Sequence, residues 1–219
     1  MDDEQRRRLE RYAALLTDAP HNLLSPADRE RAWERHVGES ARIAEHLGVR
    51  DGERWIDVGT GGGLPGLVLA VLAPAATVVL LDATRKKIEA VAGFIETLGV
   101  ANAVAVAGRA EALARHGEHR GRYDGAVARA VGPVSVSVEL LRGFVRHGGE
   151  AVVVRGEDGP SCVPILEDLA PRLGIADVRA EAVPRVARAT WLVRMRAEGP
   201  VPHGVPRADG VPRSRPLEG

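Results

Sequence analysis

The chain has 219 residues, a length that fits one α/β domain with short extensions, and its 45% of apolar residues suffice for a substantial core. Aromatic residues make up only 3%, so aliphatic side chains must fill that core. The formal net charge is zero, which argues mildly against a nucleic-acid partner but leaves room for a local arginine patch. Cys162 is the only cysteine, which excludes an internal disulfide and a thiolate zinc cluster, and we expect no metal site.

The sequence contains no pattern that predicts a membrane location. Residues 1–6 are charged and lack the apolar run of a signal peptide. The longest apolar stretch, residues 64–76, contains two prolines and is too short to cross a bilayer. We therefore expect a cytoplasmic protein without a membrane partner.

The N-terminal part of the chain predicts two helices. The first covers residues 5–16, with leucines along one face. Ser25 and Pro26 suit the start of the second, because serine caps free N–H groups and proline is tolerated in the first turn. This helix extends to about Leu47, where the following glycine ends it. Residues 1–50 are therefore predicted to form an N-terminal helical extension.

From residue 51 onwards, short apolar strands alternate with helices. The predicted strands cover residues 54–58, 77–81, 103–107, 123–128, 151–154, 178–183 and 190–195, and the predicted helices cover residues 64–72, 85–98, 134–145 and 164–173. This alternation predicts an α/β fold with a mostly parallel sheet, and the short link between the last two strands predicts a C-terminal antiparallel hairpin. The arrangement resembles the Rossmann-like sheet of class I S-adenosylmethionine-dependent methyltransferases. Residues 51–197 would form that domain, and residues 198–219, rich in Pro, Gly and Arg, a flexible tail.

A glycine-rich turn from Asp57 to Gly66 follows the first predicted strand. Gly59, Gly61 and Gly63 would let a ligand approach the backbone without a Cβ clash, and the next helix would offer its free N–H groups. The last part of the turn also matches the dinucleotide pattern G-x-G-x-x-G. The turn alone therefore leaves two cofactors open.

Two aspartates bear on the choice between these cofactors. Asp82 lies about 20 residues beyond the glycines, where it can accept the ribose hydroxyls of either cofactor. Asp57 is awkward beside a pyrophosphate but useful near the ammonium of an amino-acid ligand. S-adenosylmethionine carries such an ammonium and no phosphate, so Asp57 favours it over NAD.

Several motifs resemble, in order and spacing, those of the bacterial 16S rRNA guanine-N7 methyltransferases, also named the glucose-inhibited division protein B family. They are the glycine turn and the segments at residues 35–40, 80–87, 108–111, 128–130, 154–156 and 206–217. The resemblance covers nearly the whole chain. It implies S-adenosylmethionine as cofactor and methyl transfer to guanine N7 in the 530 loop of 16S rRNA, free or in the small ribosomal subunit. The sequence is silent on the oligomeric state, for which we expect a monomer.

The resemblance also implies roles for individual residues. Family cofactor contacts fall on Gly59, Leu64, Ala110, Glu111 and Arg129, which join Asp57, Gly61, Gly63 and Asp82 in the predicted cofactor site. Arg129 and His36 would position the target base. The predicted RNA-binding residues are Arg35, Lys86, Lys87, Arg155, Arg207, Arg213 and Arg215. The two lysines could instead lie on a solvated helix face. The last three arginines could instead belong to a disordered segment.

Departures from the family pattern lie on the substrate side. The family's Trp-Asn-x-x-x-Asn-Leu-Thr run is reduced to residues 21–25, Glu39 replaces aspartate and Arg155 replaces lysine. These changes leave two alternatives open: a methyltransferase with another RNA substrate, and a non-catalytic relative that only binds RNA. If the glycine turn binds NAD instead of S-adenosylmethionine, the protein would be an oxidoreductase. Residues 127–130 lack the Asn-Pro-Pro-Tyr-type motif of amine methyltransferases, which favours a ring nitrogen as the acceptor.

Overall fold

The computed structural model describes residues 1–19, 23 and 31–218, and these form a seven-stranded sheet. The strands are β1 Arg54–Val58, β2 Thr77–Asp82, β3 Ala103–Ala107, β4 Tyr123–Arg129, β5 Val145–Arg155, β6 Ile175–Ala182 and β7 Trp191–Ala197. Their order across the sheet is β3-β2-β1-β4-β5-β7-β6. β1 to β5 are parallel, whereas β7 runs antiparallel to both β5 and β6. The predicted fold class is therefore confirmed, including the C-terminal antiparallel hairpin.

Helices cover both faces of this sheet. They are α1 Asp3–Asp18, α2 Gly38–Leu47, α3 Gly66–Leu72, α4 Arg85–Leu98, α5 Ala110–Leu113, α6 Val134–Arg142, α7 Cys162–Leu173 and α8 Val211–Ser214. Strand residues alternate between the faces: Leu80 joins the core formed with α1 to α4, whereas Val79 joins the core formed with α6 and α7. In the described part of the chain, no helix is long and apolar enough to cross a membrane.

α1 packs directly on the glycine turn and α3. Its start is fixed by a capping box, in which the Asp2 carboxylate accepts from the Gln5 N–H at 2.8 Å and the Gln5 side chain accepts from the Asp2 N–H at 2.9 Å. Leu9, Tyr12 and Leu16 are buried, as expected for the apolar face. The N-terminal helices therefore share the core of the sheet.

The second predicted helix is described only in its later part, because Ser25 and Pro26 lie outside the described residues. That part contains a π-helical turn, Trp33–Val37, followed by α2. Gly48 ends α2 with a φ of +65°, as the sequence predicts.

β5 begins earlier than predicted and continues across the Gly148–Gly149 pair. The pairing register between β4 and β5 shifts from Tyr123–Val145 to Gly125–Glu150, so the extra residues of β5 bulge. Gly148 has a φ of +75°, which glycine adopts without strain. The predicted turn is therefore an irregularity inside a strand.

The segment after β7 differs from the expected flexible tail. The buried Arg142 guanidinium donates to the carbonyls of residues 198, 199 and 200, and Arg120 donates to those of residues 201, 202 and 205. Leu217 is buried in the core. These arginines satisfy carbonyls that a proline-rich segment cannot pair in a sheet, which explains the ordered course of the chain.

Candidate active site at two adjoining clefts

The turn after β1 begins close to β2. The N–H groups of Gly59 and Thr60 both donate to the carbonyl of Leu81, at 2.8 and 2.9 Å. Gly59 has a φ of +77°, and a Cβ there would lie only 2.7 Å from Cγ2 of Val131. Both facts favour glycine at this position.

The rest of the glycine turn is held by α1. The Tyr12 hydroxyl donates to the carbonyl of Gly62 at 2.6 Å, and a Cβ on Gly63 would lie 2.7 Å from that hydroxyl oxygen. The Gly61 N–H donates to Oδ2 of Asp82 at 3.0 Å. Gly61 and Gly63 therefore shape and anchor the turn.

Asp57 lies beneath the turn and is completely buried. Its Oδ2 accepts from Oγ1 of Thr60 at 2.6 Å and from the N–H of Gly66 at 2.8 Å. Burial raises the pKa of Asp57 to about 6, although these two hydrogen bonds act to lower it. The carboxylate therefore ties together the two ends of the turn. Its contact with a ligand ammonium stays a prediction.

A first cleft, with a volume of about 350 Å³, opens at the carboxyl ends of β1 to β4. Among the predicted cofactor residues, Gly59, Asp82, Ala110 and Glu111 line it, and Leu64 instead packs against the core beside α1. The two carboxylates are nearly buried, with Asp82 8% and Glu111 6% exposed. Ligands of open α/β sheets bind at this edge.

A second cleft, of about 290 Å³, adjoins the first at the ends of β4 and β5. It is bounded by the π-helical turn on one side and by the loop between β6 and β7 on the other. Arg35, His36 and Arg129, which belong to the family motifs, line it. Ala130 lines both clefts and has a φ of +56°, an uncommon conformation for a residue with a Cβ.

An ion pair forms one wall of the second cleft. Nη2 of Arg129 donates to Oε2 of Glu39 at 2.5 Å, and Nη1 donates to Oγ of Ser40 at 3.2 Å. Oγ1 of Thr190 donates to Oε1 of Glu39 at 2.6 Å. The side chains of the pair are only 21% and 13% exposed, so the contact is less screened than a surface salt bridge.

The π-helical turn sets the position of Glu39. The Gly38 N–H donates to the carbonyl of Trp33, which closes the wider turn, and a Cβ on Gly38 would lie 3.0 Å from that oxygen. Glu39 follows directly and reaches from α2 to the end of β4. Such π turns occur often at functional sites.

The predicted RNA-binding residues lie in four places. Arg35 and Arg155 line the second cleft, where Arg155 donates to the carbonyl of Gly132 at 3.0 Å and pairs with Asp158. The others follow: Lys87 and Arg213 line the first cleft, Lys86 and Arg215 are exposed, and Arg207 lies against α6. Four of the seven residues therefore line the two adjoining clefts.

Arg207 has a structural partner. Its guanidinium and backbone N–H donate to the carboxylate of Glu139 at 2.7 to 3.1 Å. Glu139 is only 1% exposed, so this bidentate pair anchors the C-terminal segment on α6. The predicted contact of Arg207 with RNA conflicts with this arrangement.

Sequence reasoning missed several residues around the clefts. Thr190 and Arg188, on the loop between β6 and β7, line the second cleft, and Val131 lines the first. Thr190 and Arg188 lie far along the chain from the motifs, and only the strand order brings them to the site. Val131 directly follows the motif at residues 128–130. For Glu39, the sequence offered one signal, which is the acidic residue that the family's Arg-His-x-x-Asp-Ser motif has at this position.

Comparisons with known proteins agree on family and fold. A family model described as GidB, rRNA small subunit methyltransferase G, matches residues 5–161. The ribosomal RNA small subunit methyltransferase G of Gloeobacter violaceus is 39% identical over 99% of this chain and 88% of its own length. That of Rubrobacter xylanophilus is 37% identical over 99% of this chain and 85% of its own. A solved SAM-dependent methyltransferase from Aquifex aeolicus shares the fold, with a TM-score of 0.56 and 15% identity over 85% of this chain and 97% of its own.

Proposed function

The chain belongs to the rRNA small subunit methyltransferase G family, and on that premise we propose that it methylates N7 of a guanine in the 16S rRNA of the small ribosomal subunit. It is a methyltransferase that uses S-adenosylmethionine. The observation that carries the proposal is that the two clefts meet at Ala130. A methyl donor held in the first cleft would lie next to a base held in the second.

The first cleft suits S-adenosylmethionine. Its volume of about 350 Å³ lies within the range of small-molecule sites, and Gly59 leaves the wall beside β1 free of a side chain. Each Asp82 oxygen accepts one backbone N–H, so lone pairs remain for ribose hydroxyls. The backbones of Ala110 and Glu111 would contact the adenine. When bound, the cofactor supplies a methyl group already activated by its positive sulfur.

The second cleft would position the target base. Guanine N7 has an in-plane lone pair and no proton, so no general base is needed, and the rate gain rests on alignment. Arg129 uses two nitrogens for Glu39 and Ser40 and keeps further N–H donors for the base, with His36 beside it. N7-methylated guanine is cationic, and the Glu39 carboxylate would stabilise that charge.

The surroundings of the second cleft support an RNA substrate. Arg35, Arg155 and Arg188 line it and would neutralise phosphates. One copy of the chain provides both clefts, which supports action as a monomer. The ribosomal substrate would place the reaction in the cytoplasm.

The test is methyl transfer with purified protein. Labelled S-adenosylmethionine and small subunits that lack the modification are incubated with the enzyme, and the digested RNA is examined for N7-methylguanosine. The wild type should label this nucleoside, Arg129→Ala should lose most of the label, and Arg172→Ala, on the exposed side of α7, should keep it. Label on another nucleoside would contradict the guanine N7 assignment.

A binding measurement decides between the cofactors. Calorimetry should detect S-adenosylmethionine and not NAD. The reverse result would favour the oxidoreductase alternative. Cofactor binding without methylation of free RNA, precursor particles or subunits would favour a non-catalytic RNA-binding relative.

A further inference from the structure

The C-terminal strap, which we define as residues 207–214, connects two walls of the first cleft. In its middle, the Gly210 N–H donates to Oε1 of Glu111 at 2.9 Å. At its end, Nη2 of Arg213 donates to the carbonyl of Val131 at 3.1 Å. Glu111 and Val131 both line the cleft, and so does Arg213 itself. The strap is therefore part of the cleft.

Two ion pairs hold the strap in this position. Arg207 forms the bidentate pair with the buried Glu139. Arg115 donates to Oδ1 of Asp209 at 2.6 Å and to the carbonyl of Arg207 at 3.1 Å. A segment rich in proline and glycine would lose this course without such contacts. The position of Arg213 over the cleft is thus fixed from outside the cleft.

The chemistry of this end of the cleft suits a flat aromatic ring. Val131, Val136 and Leu140 give it apolar walls. If Asp82 holds the ribose, the adenine lies beyond it, towards Ala110, where the strap is attached. An arginine guanidinium is planar and stacks on aromatic rings, which a lysine ammonium cannot do. The bond of Arg213 to the Val131 carbonyl uses one N–H and leaves the flat face of the group available.

From these contacts we infer that Arg213 is a cofactor-binding residue whose guanidinium covers the adenine of S-adenosylmethionine. The inference rests on the cofactor proposed above for the first cleft. It moves Arg213 from the RNA-binding set, where sequence reasoning placed it, to the cofactor site. The strap acts as a positioning element, because its hydrogen bonds to Glu111 and Val131 fasten it to two walls of the cleft and hold Arg213 there.

The test measures affinity by calorimetry for two ligands, S-adenosylmethionine and 5′-methylthioadenosine, which keeps the adenine and ribose but lacks the amino acid. Arg213→Ala should raise the Kd of both by roughly three- to tenfold. Arg213→Lys, which keeps a donor for the Val131 carbonyl but not the planar face, should lose as much. Arg172→Ala, an exposed arginine on α7, is the charge-matched control and should bind both ligands as the wild type does.

Three results would overturn the inference. They are equal affinities of Arg213→Ala and Arg172→Ala, full rescue by lysine, or a loss seen with S-adenosylmethionine and not with 5′-methylthioadenosine. Melting temperatures without ligand confirm that each variant folds. If Arg213→Ala disturbs the strap, Arg213→Lys provides the test in its place. Failure of the wild type to bind either ligand would instead contradict the proposed cofactor.

Discussion

Asp57→Asn tests the role of the buried carboxylate beneath the glycine turn. The aspartate accepts two hydrogen bonds through Oδ2, from Thr60 and Gly66. The asparagine carbonyl can accept the same two. Its amide nitrogen would take the place of Oδ1, for which the described residues provide no hydrogen-bond partner. The substitution therefore keeps the shape of the turn and removes the ability of this side chain to ionise. The unpaired amide nitrogen lowers the stability by an amount that does not vary with pH.

The expected effect depends on pH with a defined sign. Burial raises the pKa of Asp57 from its ordinary value of 3.8 to about 6, so the folded protein holds the proton more tightly than the unfolded chain. The stability from this group is fully present below pH 3.8 and is lost as the pH rises through about 6. At about 1.36 kcal/mol for each pKa unit, the loss reaches about 3 kcal/mol.

Urea unfolding followed by tryptophan fluorescence measures this loss. Wild type and Asp57→Asn are compared between pH 4 and pH 8, so that all other titrating groups cancel in the difference. Because part of the loss already occurs below pH 4, the variant should gain about 2 kcal/mol relative to the wild type across this range. Asp51→Asn, on an exposed turn, controls for the substitution itself. A difference between wild type and Asp57→Asn that stays constant over the range would refute the reasoning.

Three further substitutions test the clefts and the strap. Gly59→Ala should weaken S-adenosylmethionine binding by at least roughly tenfold, because the new Cβ would lie 2.7 Å from Val131 Cγ2 in a backbone conformation that costs about 1–2 kcal/mol. Calorimetry measures the affinity, and an unchanged affinity would contradict this prediction. Arg207→Ala should lower the free energy of unfolding by about 3 kcal/mol, since it leaves the buried Glu139 charge without its partner. A loss below about 1 kcal/mol in urea unfolding would mean that the pair does not anchor the C-terminal segment. Glu39→Gln should lower kcat of methylation and leave the KM of S-adenosylmethionine unchanged, because the carboxylate lies in the second cleft; a raised KM with normal kcat would contradict that placement.

The alternation of strands and helices and the position of the glycine turn could be predicted because they depend on local signals. Alternation of apolar strands with helices determines a parallel sheet, and glycine is required where φ is positive, as at Gly59. Gly48 likewise ended α2 where expected. Each of these signals is contained within a few residues of the chain.

The role of Asp57 and the course of the C-terminal segment could not be predicted in this way. An aspartate beside glycines fits either a ligand contact or a brace beneath the turn, and only its burial distinguishes them. The order of the C-terminal segment comes from arginines 120 and 142, which lie about 60 to 80 residues earlier in the chain. Composition alone made the segment resemble a flexible tail.

Mass mapping of 16S rRNA from a strain lacking this protein tests the central claim most directly. One N7-methylguanine should disappear from the small-subunit RNA, return with the wild-type gene, and stay absent with a gene carrying Arg129→Ala. An unchanged set of methylated nucleotides in the strain without the protein would contradict the claim.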